Sequence, residues 1–174
     1  MNSVISLKKN CRLVLSVFVI LFISIQSFAQ KPADWQLEKM PVALETDFDA
    51  GLPLVSGDRV QLQQVILNLI LNATDAMSAL HERPRNLLIA TSTDEAKHVW
   101  LSVRDSGVSI DPQNIEKLFN AFYTTKSHGM GMGLSISRSI IESHHGRLWA
   151  SANDGPGATF SFSIPCRSES APGR

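Results

Sequence analysis

The chain carries no excess of either charge. Sixteen Lys and Arg balance sixteen Asp and Glu over 174 residues, so it lacks the basic surplus with which a non-specific nucleic-acid binder neutralises phosphates. Cysteine is scarce: Cys11 and Cys166 stand far apart, without CxxC or Cys/His spacing. That excludes a disulfide framework and a zinc site of the usual kind. The five histidines, at 81, 98, 128, 144 and 145, show no metal-ligand spacing either. There is no internal repeat, so a solenoid or propeller is not expected. Hydrophobic residues make up 44% and charged residues only 18%, which is enough apolar material for one domain with a core plus one very apolar segment.

That segment lies at the N-terminus. Lys8, Lys9 and Arg12 precede an apolar run from Leu13 to Ile25, and Ser27-Phe-Ala29 places small residues two apart, as a signal-peptidase site does. The run is shorter than the roughly 20 residues that span a bilayer comfortably. Residues 1–30 are therefore expected to be a signal-peptide-like segment or a membrane anchor, with membrane contact confined to residues 13–29. The positive charges should stay in the cytoplasm and the remainder should cross. Residues 31–40 read as a linker, 41–166 as a folded domain and 167–174 as a polar tail.

Within the domain, Val42, Leu44, Thr46 and Phe48 alternate with polar neighbours, predicting a strand over 40–48. Asp49 to Pro53 is a turn. Asp58 is a candidate N-cap for a helix running to about Leu80, with apolar residues at 62, 65, 66, 69, 73, 76, 77 and 80. Strands are expected over 86–93 and 98–104, a short helix over 112–118 and a loop over 120–130. A second amphipathic helix spans 132–144, with Leu134, Ile136, Ile140 and Ile141 inward and Gly146 as its C-terminal cap. A hairpin of 147–152 and 158–164 closes the chain around Asp154-Gly-Pro-Gly157. This order predicts an α/β two-layer sandwich, a mixed sheet with helices on one face.

Four polar or glycine-rich elements follow in order. On the long helix, Gln61, Gln64, Asn68, Asn72 and Asp75 form one stripe opposite the apolar one. A solvated face would normally carry Lys and Glu, whereas Asn costs helix propensity without adding charge. Its amide oxygen suits a hard cation such as Mg²⁺ that already sits on phosphates. Asp105 ends a strand before Ser106-Gly107-Val108-Ser109-Ile110; there a carboxylate can accept from an exocyclic amine, and Gly107 lets the backbone approach a planar ring. Gly129, Gly131 and Gly133 alternate just ahead of a helix, presenting N–H groups to an anion. Lys126 lies just upstream. Phe119, Phe122 and Tyr123 are expected to pack the loop base onto the core. The fourth element is Gly155-Pro-Gly157-Ala-Thr159-Phe160.

Together these elements resemble the catalytic ATP-binding domain of bacterial sensor histidine kinases, of the nitrogen-regulation and oxygen-sensing type, over roughly Ala43 to Pro165. The resemblance includes the segment Leu118-Phe-Asn-Ala-Phe-Tyr-Thr-Thr-Lys126. It implies a Bergerat-type fold, with ATP and Mg²⁺ as cofactors. By position, Asn72 would bind the metal and Asn68 would support it. Asp105 would bind the adenine amine, with Gly107 beside the ring. Lys126 and the Gly129–Gly133 backbone would form a lid over the phosphates, and Gly157 and Thr159 would close the adenine end. Asp75, Ser109, Ile110, Phe119, Thr125 and Leu134 would complete the nucleotide site, with Asn68, Asn72 and Lys126 the catalytic group.

Two departures from the family pattern stand out. Ser109 occupies a position that is usually Gly, where a side chain at positive φ would cost about 1–3 kcal/mol. No phosphoacceptor helix is expected in the chain, so it should not autophosphorylate by itself, and a monomer is expected. The implied function is a Mg²⁺-dependent ATP-binding domain that supplies the γ-phosphoryl to a histidine in trans, on a phosphoacceptor domain or response regulator. The alternative is a non-catalytic remnant or partner-binding module that keeps the fold. Hydrolytic relatives such as gyrase carry a Glu one turn before the metal Asn; here that position is Asn68. A need for ATP would hold the domain in the cytoplasm, with the N-terminal segment at the membrane; export by a cleaved signal peptide is the alternative.

Overall fold

A computed structural model describes residues 4–5, 41–78, 80, 83–124 and 130–167. The expected hydrophobic segment of residues 13–29, the 31–40 linker and nearly all of the polar tail lie outside the described residues. Among those described, no helix is long and apolar enough to cross a membrane.

In chain order the elements are β1 (Val4–Ile5), β2 (Val42–Phe48), β3 (Val55–Ser56), α1 (Arg59–Ser78), β4 (Arg85–Thr93) and β5 (His98–Asp105). Two 3-10 turns follow, Pro112–Asn114 and Glu116–Phe119, and then α2 (Gly133–Ser143), β6 (Arg147–Ala152) and β7 (Ala158–Pro165). Five strands form one sheet in the order β2-β4-β5-β7-β6, and β1 pairs with β3 in a separate two-stranded ladder. β2 and β4 run parallel, as the α1 crossover between them permits, and the other ladders are antiparallel. The sheet is therefore mixed, with both helices on one face.

Alternation along the strands separates the two faces. Leu87, Ile89, Val99, Leu101, Val103, Leu148, Ala150, Phe160, Phe162 and Ile164 are buried beneath the helices. From α1 the core takes Leu62, Val65, Leu69, Ile70, Ala73 and Met77. The far face carries Trp100 and Trp149, edge to face at 4.8 Å.

The helix ends explain the element boundaries. Asp58 caps α1, its Oδ1 accepting from the N–H groups of Val60 at 2.8 Å and Gln61 at 3.1 Å. At the other end the buried Arg85 guanidinium donates to the carbonyls of Ser78 and Leu80, placing a cation where the helix dipole is negative. α2 ends in a Schellman motif: Gly146 N–H donates to Ile141 O and His145 N–H to Glu142 O, both at 2.9 Å. The left-handed residue there is His145, with φ of 58°, rather than the expected Gly146.

Two inward assignments are corrected. Ile136 is 45% exposed, and Ser137 is buried in its place beside Ile141; the inward stripe of α2 runs through 134, 137 and 141. Of the aromatic cluster, Phe119 is buried, Tyr123 is half-buried, and Phe122 is 76% exposed with φ of 67°. Phe119 is covered from outside by the Arg138 guanidinium, 4.0 Å above its ring.

Candidate nucleotide site

Four segments meet in pairs beside the helices and one end of the sheet: α1, the start of α2, the loop after Asp105 and the Gly157 turn. α1 brings its asparagine stripe, in which Asn68 and Asn72 are half-buried and Asp75 is exposed. Asn68 Nδ2 donates to Ser137 Oγ at 2.9 Å, tying α1 to α2. The Asn68 amide lies so close to Gly133 that a Cβ there would sit 2.5 Å from Oδ1. The second asparagine-stripe turn thus abuts the N-terminus of α2.

That N-terminus has no side-chain cap: Met132 occupies the cap position and offers no acceptor. The Met132 side chain therefore satisfies none of the helix's first N–H groups, and uncapped N–H groups with the positive end of the dipole behind them are the arrangement that receives phosphate. Gly131 adopts φ of 66° and its carbonyl accepts from Phe122 N–H at 3.0 Å, so the residues on either side of the 125–129 segment are joined. Leu134 is half-buried against the core. Thr125, Lys126 and Gly129 lie outside the described residues.

Asp105 ends β5 and is only 3% exposed. Its Oδ1 accepts from Gly107 N–H at 2.7 Å, and the Ala158 N–H also bonds the carboxylate. Burial pushes the carboxyl above the ordinary aspartate range, and these two N–H groups pull it partly back. The glycine after it serves a purpose the sequence did not suggest. A Cβ on Gly107 would lie 2.7 Å from the Ala76 carbonyl carbon and 2.8 Å from the Ala76 Cβ. The close neighbours that demand glycine are α1 and the Asp105 Oδ1, also 2.7 Å away, and Val108 N–H completes the contact with α1 by donating to Ala76 O at 3.2 Å. Arg83 donates to Gly107 O at 3.1 Å from the other side. Ile110 packs, half-buried, against the core.

The last glycine turn closes onto the Asp105 loop. Gly157 has φ of 94°, and a Cβ there would fall onto the Asp105 carbonyl oxygen. Asn153, which the sequence reading missed, is the hub: its Nδ2 donates to Asp105 O at 2.9 Å and to Pro156 O at 3.2 Å. Thr159 does not join Asp105 directly. It pairs with Arg104 on β5 and donates its hydroxyl to Asn153 Oδ1 at 2.7 Å. Period-2 alternation sends Thr159 to the sheet face away from the helices and leaves Ala158 on the carboxylate's side. Ser109 holds a further surprise. It is not among the residues with positive φ, so the expected backbone strain is absent. Ser137 was legible only as a lone polar residue on an apolar stripe, and Asn153 only as a turn former ahead of Asp154-Gly.

The family profile described as histidine kinase-, DNA gyrase B-, and HSP90-like ATPase matches residues 57–168. The sensor protein FixL of Bradyrhizobium diazoefficiens is 46% identical over 129 residues, 74% of this chain and 25% of FixL. The sensor histidine kinase TmoS of Ectopseudomonas mendocina is 43% identical over 115 residues, 66% of this chain and 12% of TmoS. The chain spans a quarter or less of the length of these relatives. Among solved structures, the catalytic domain of histidine kinase ThkA superposes with a TM-score of 0.72 at 31% identity, over 95% of both chains. ThkA in complex with the response regulator TrrA superposes with a TM-score of 0.70 at 29% identity, over 98% of this chain and 43% of that one.

Proposed function

The chain belongs to the histidine kinase-, DNA gyrase B- and HSP90-like ATPases, and from that premise we propose that it binds Mg·ATP and supplies the γ-phosphoryl to a histidine presented by a partner. The observation that carries the proposal is the junction of Asn68 with the uncapped start of α2, alongside the buried Asp105. Asp105 accepts from the adenine amine while its loop is held by Gly107 and Asn153. The α2 N-terminus takes the phosphates. Asn72, one turn along the stripe, offers an amide oxygen.

Among the described residues no three His, Cys, Asp or Glu side chains gather into a metal cage. Mg²⁺ riding on a triphosphate keeps several waters and needs only one or two protein oxygens, which a single neutral amide satisfies. Asn72 would hold the ion, which would supply charge neutralisation at the phosphoryl oxygens. The chain's own contribution is positioning: Ser137 fixes the Asn68 amide, and α2 fixes the phosphate N–H groups relative to α1. Asn68 is an amide engaged with Ser137, not a carboxylate, so it offers no base for activating water. That supports transfer over hydrolysis.

The acceptor comes from outside this pocket. Among the described histidines, His98 begins β5, the end opposite Asp105. His144 and His145 lie at the far end of α2 from Gly133, His144 with Nε2 accepting from Asp58 N–H at 2.9 Å. A surface for a partner runs along α2, where Gln61, Ala121, Ser135, Ile136, Ser139 and Ile140 line a groove. Val60 and Phe122 are strongly exposed on the neighbouring segments. The reaction places this domain on the ATP-containing, cytoplasmic side of any membrane. One ground for the non-catalytic alternative, backbone strain at Ser109, is removed, because Ser109 is not at positive φ.

Calorimetric titration of Mg·ATP into the 174-residue chain and its Asn72→Ala variant tests the proposal. Wild-type binding that Asn72→Ala weakens tenfold or more, by about 1.4 kcal/mol, is the expected result. A folded wild type that binds no Mg·ATP would sink it.

A further inference from the structure

The side chain of Ser109 makes a contact that glycine cannot. Gly157 N–H donates to Ser109 Oγ at 3.2 Å. The donor and acceptor belong to different glycine-rich elements, 48 residues apart. Gly157 is also the residue whose backbone is pressed against the Asp105 carbonyl. Asn153, four residues before Gly157, grips that same carbonyl. Asp105 therefore has its main chain held by the closing turn, and Ser109 holds the other end of the loop to that turn.

We propose that Ser109 is a positioning residue: its hydroxyl latches the Asp105–Ile110 loop to the Gly157 turn and so sets the Asp105 carboxylate for reading an adenine amine. This rests on the nucleotide reading above. Without the latch, the loop between Gly107 and Ile110 keeps its anchor on α1 through Val108 but loses its anchor on the closing turn. The carboxylate then spends part of its time out of register with the base. A ligand group that does not touch Asp105 is indifferent to this. The latch thus acts on base recognition and not on phosphate binding, which belongs to α2.

The test compares Mg·ATP with Mg·ITP, whose base has a carbonyl where adenine has the amine. Both are titrated calorimetrically into the 174-residue wild type and into Ser109→Ala, Ser109→Gly and Ser109→Thr. Loss of one hydrogen bond that orders a recognition group predicts an ATP affinity about threefold to tenfold weaker in the Ala and Gly variants. ITP affinity should stay within about twofold, and Thr, which keeps the hydroxyl, should restore the ATP preference. Equal losses for both nucleotides would mean that Ser109 only stabilises the fold, and unchanged ATP affinity would mean that the latch does nothing; either result overturns the proposal. Amide exchange at Gly157 reads the hydrogen bond without nucleotide. It should quicken in Ser109→Ala, and unchanged exchange refutes the latch even if the nucleotide reading stands. A wild type with the protected Gly157 amide but no affinity for either nucleotide would sink the nucleotide reading and the role of the latch in it.

Discussion

Two glycines with one residue between them, Gly155 and Gly157, should respond oppositely to alanine. Gly157 sits at φ of 94°, outside the conformations an L side chain readily adopts, and forcing alanine there costs about 1–3 kcal/mol. Its Cβ would also fall onto the Asp105 carbonyl oxygen, so the turn must back away. Retreat stretches the bonds from Asn153 to Asp105 at 2.9 Å and from Gly157 to Ser109 at 3.2 Å, each worth about 0.5–1.5 kcal/mol. The sum is a destabilisation of roughly 2–6 kcal/mol for Gly157→Ala. Gly155 has nothing within 4 Å of an added Cβ and is not at positive φ. Alanine there restricts only the unfolded chain and should stabilise by about 0.4–1 kcal/mol. Urea unfolding of the two variants beside wild type gives the comparison directly. Mg·ATP titration should show binding weakened in Gly157→Ala and unchanged in Gly155→Ala. Unfolding free energies that agree within about 0.5 kcal/mol, the range of an indifferent surface change, would refute the close-approach reasoning.

Asp105→Asn should lose ATP affinity at neutral pH while altering how stability varies with pH. Burial raises the Asp105 carboxyl above its ordinary 3.8, so its contribution to stability is complete below that value and is lost as pH rises through the raised one. Wild type should therefore gain on Asp105→Asn as pH falls through that window, while its ATP affinity, which needs the ionised carboxylate, declines; a constant stability difference in urea melts across that range would contradict the shift. Arg85→Met should leave the Ser78 and Leu80 carbonyls unsatisfied at the end of α1, costing about 2–4 kcal/mol, and an unchanged urea midpoint would show that water replaces the guanidinium. Ser137→Ala should cost about 1 kcal/mol by orphaning the half-buried Asn68 amide and should weaken Mg·ATP in the same titration; retained affinity would show that Asn68 needs no support from α2.

The fold was legible wherever a period carried it. Alternation in β4, β5 and β7 and the 3.6-residue stripe of α1 gave strand and helix limits within a residue or two, because burial on one face is a repeating demand on the chain. Failures fall where the demand is met once, by a partner distant in sequence. Gly107 reads as an opening for a ring, and nothing in the sequence shows that Ala76 and the Asp105 Oδ1 also press on it. Ser109 reads as a flaw in a glycine pattern, yet its acceptor role depends on Gly157. Thr159 enters the nucleotide site by the family resemblance alone, and nothing in the sequence shows that its hydroxyl donates to Asn153. Ile136 and Ser137 exchange places because hydrophobicity ranks isoleucine inward, while the position beside Asn68 calls for a hydroxyl.

These cases share a cause. Glycine spacing announces that something comes close without saying what. At the proposed base end the close neighbours are the chain's own atoms: Gly107 lies against Ala76 and the Asp105 carboxylate, and Gly157 against the Asp105 carbonyl. At the phosphate end, Gly133 meets the Asn68 side chain, beside helix N–H groups with no side-chain cap. Substitutions at the base end must therefore cost stability and affinity together, because the same contacts build the fold and orient Asp105. At the start of α2 the stability cost is the smaller one, about 1 kcal/mol for the Ser137 hydroxyl, because a changed amide or hydroxyl there misplaces phosphate while the sheet and its core stay packed.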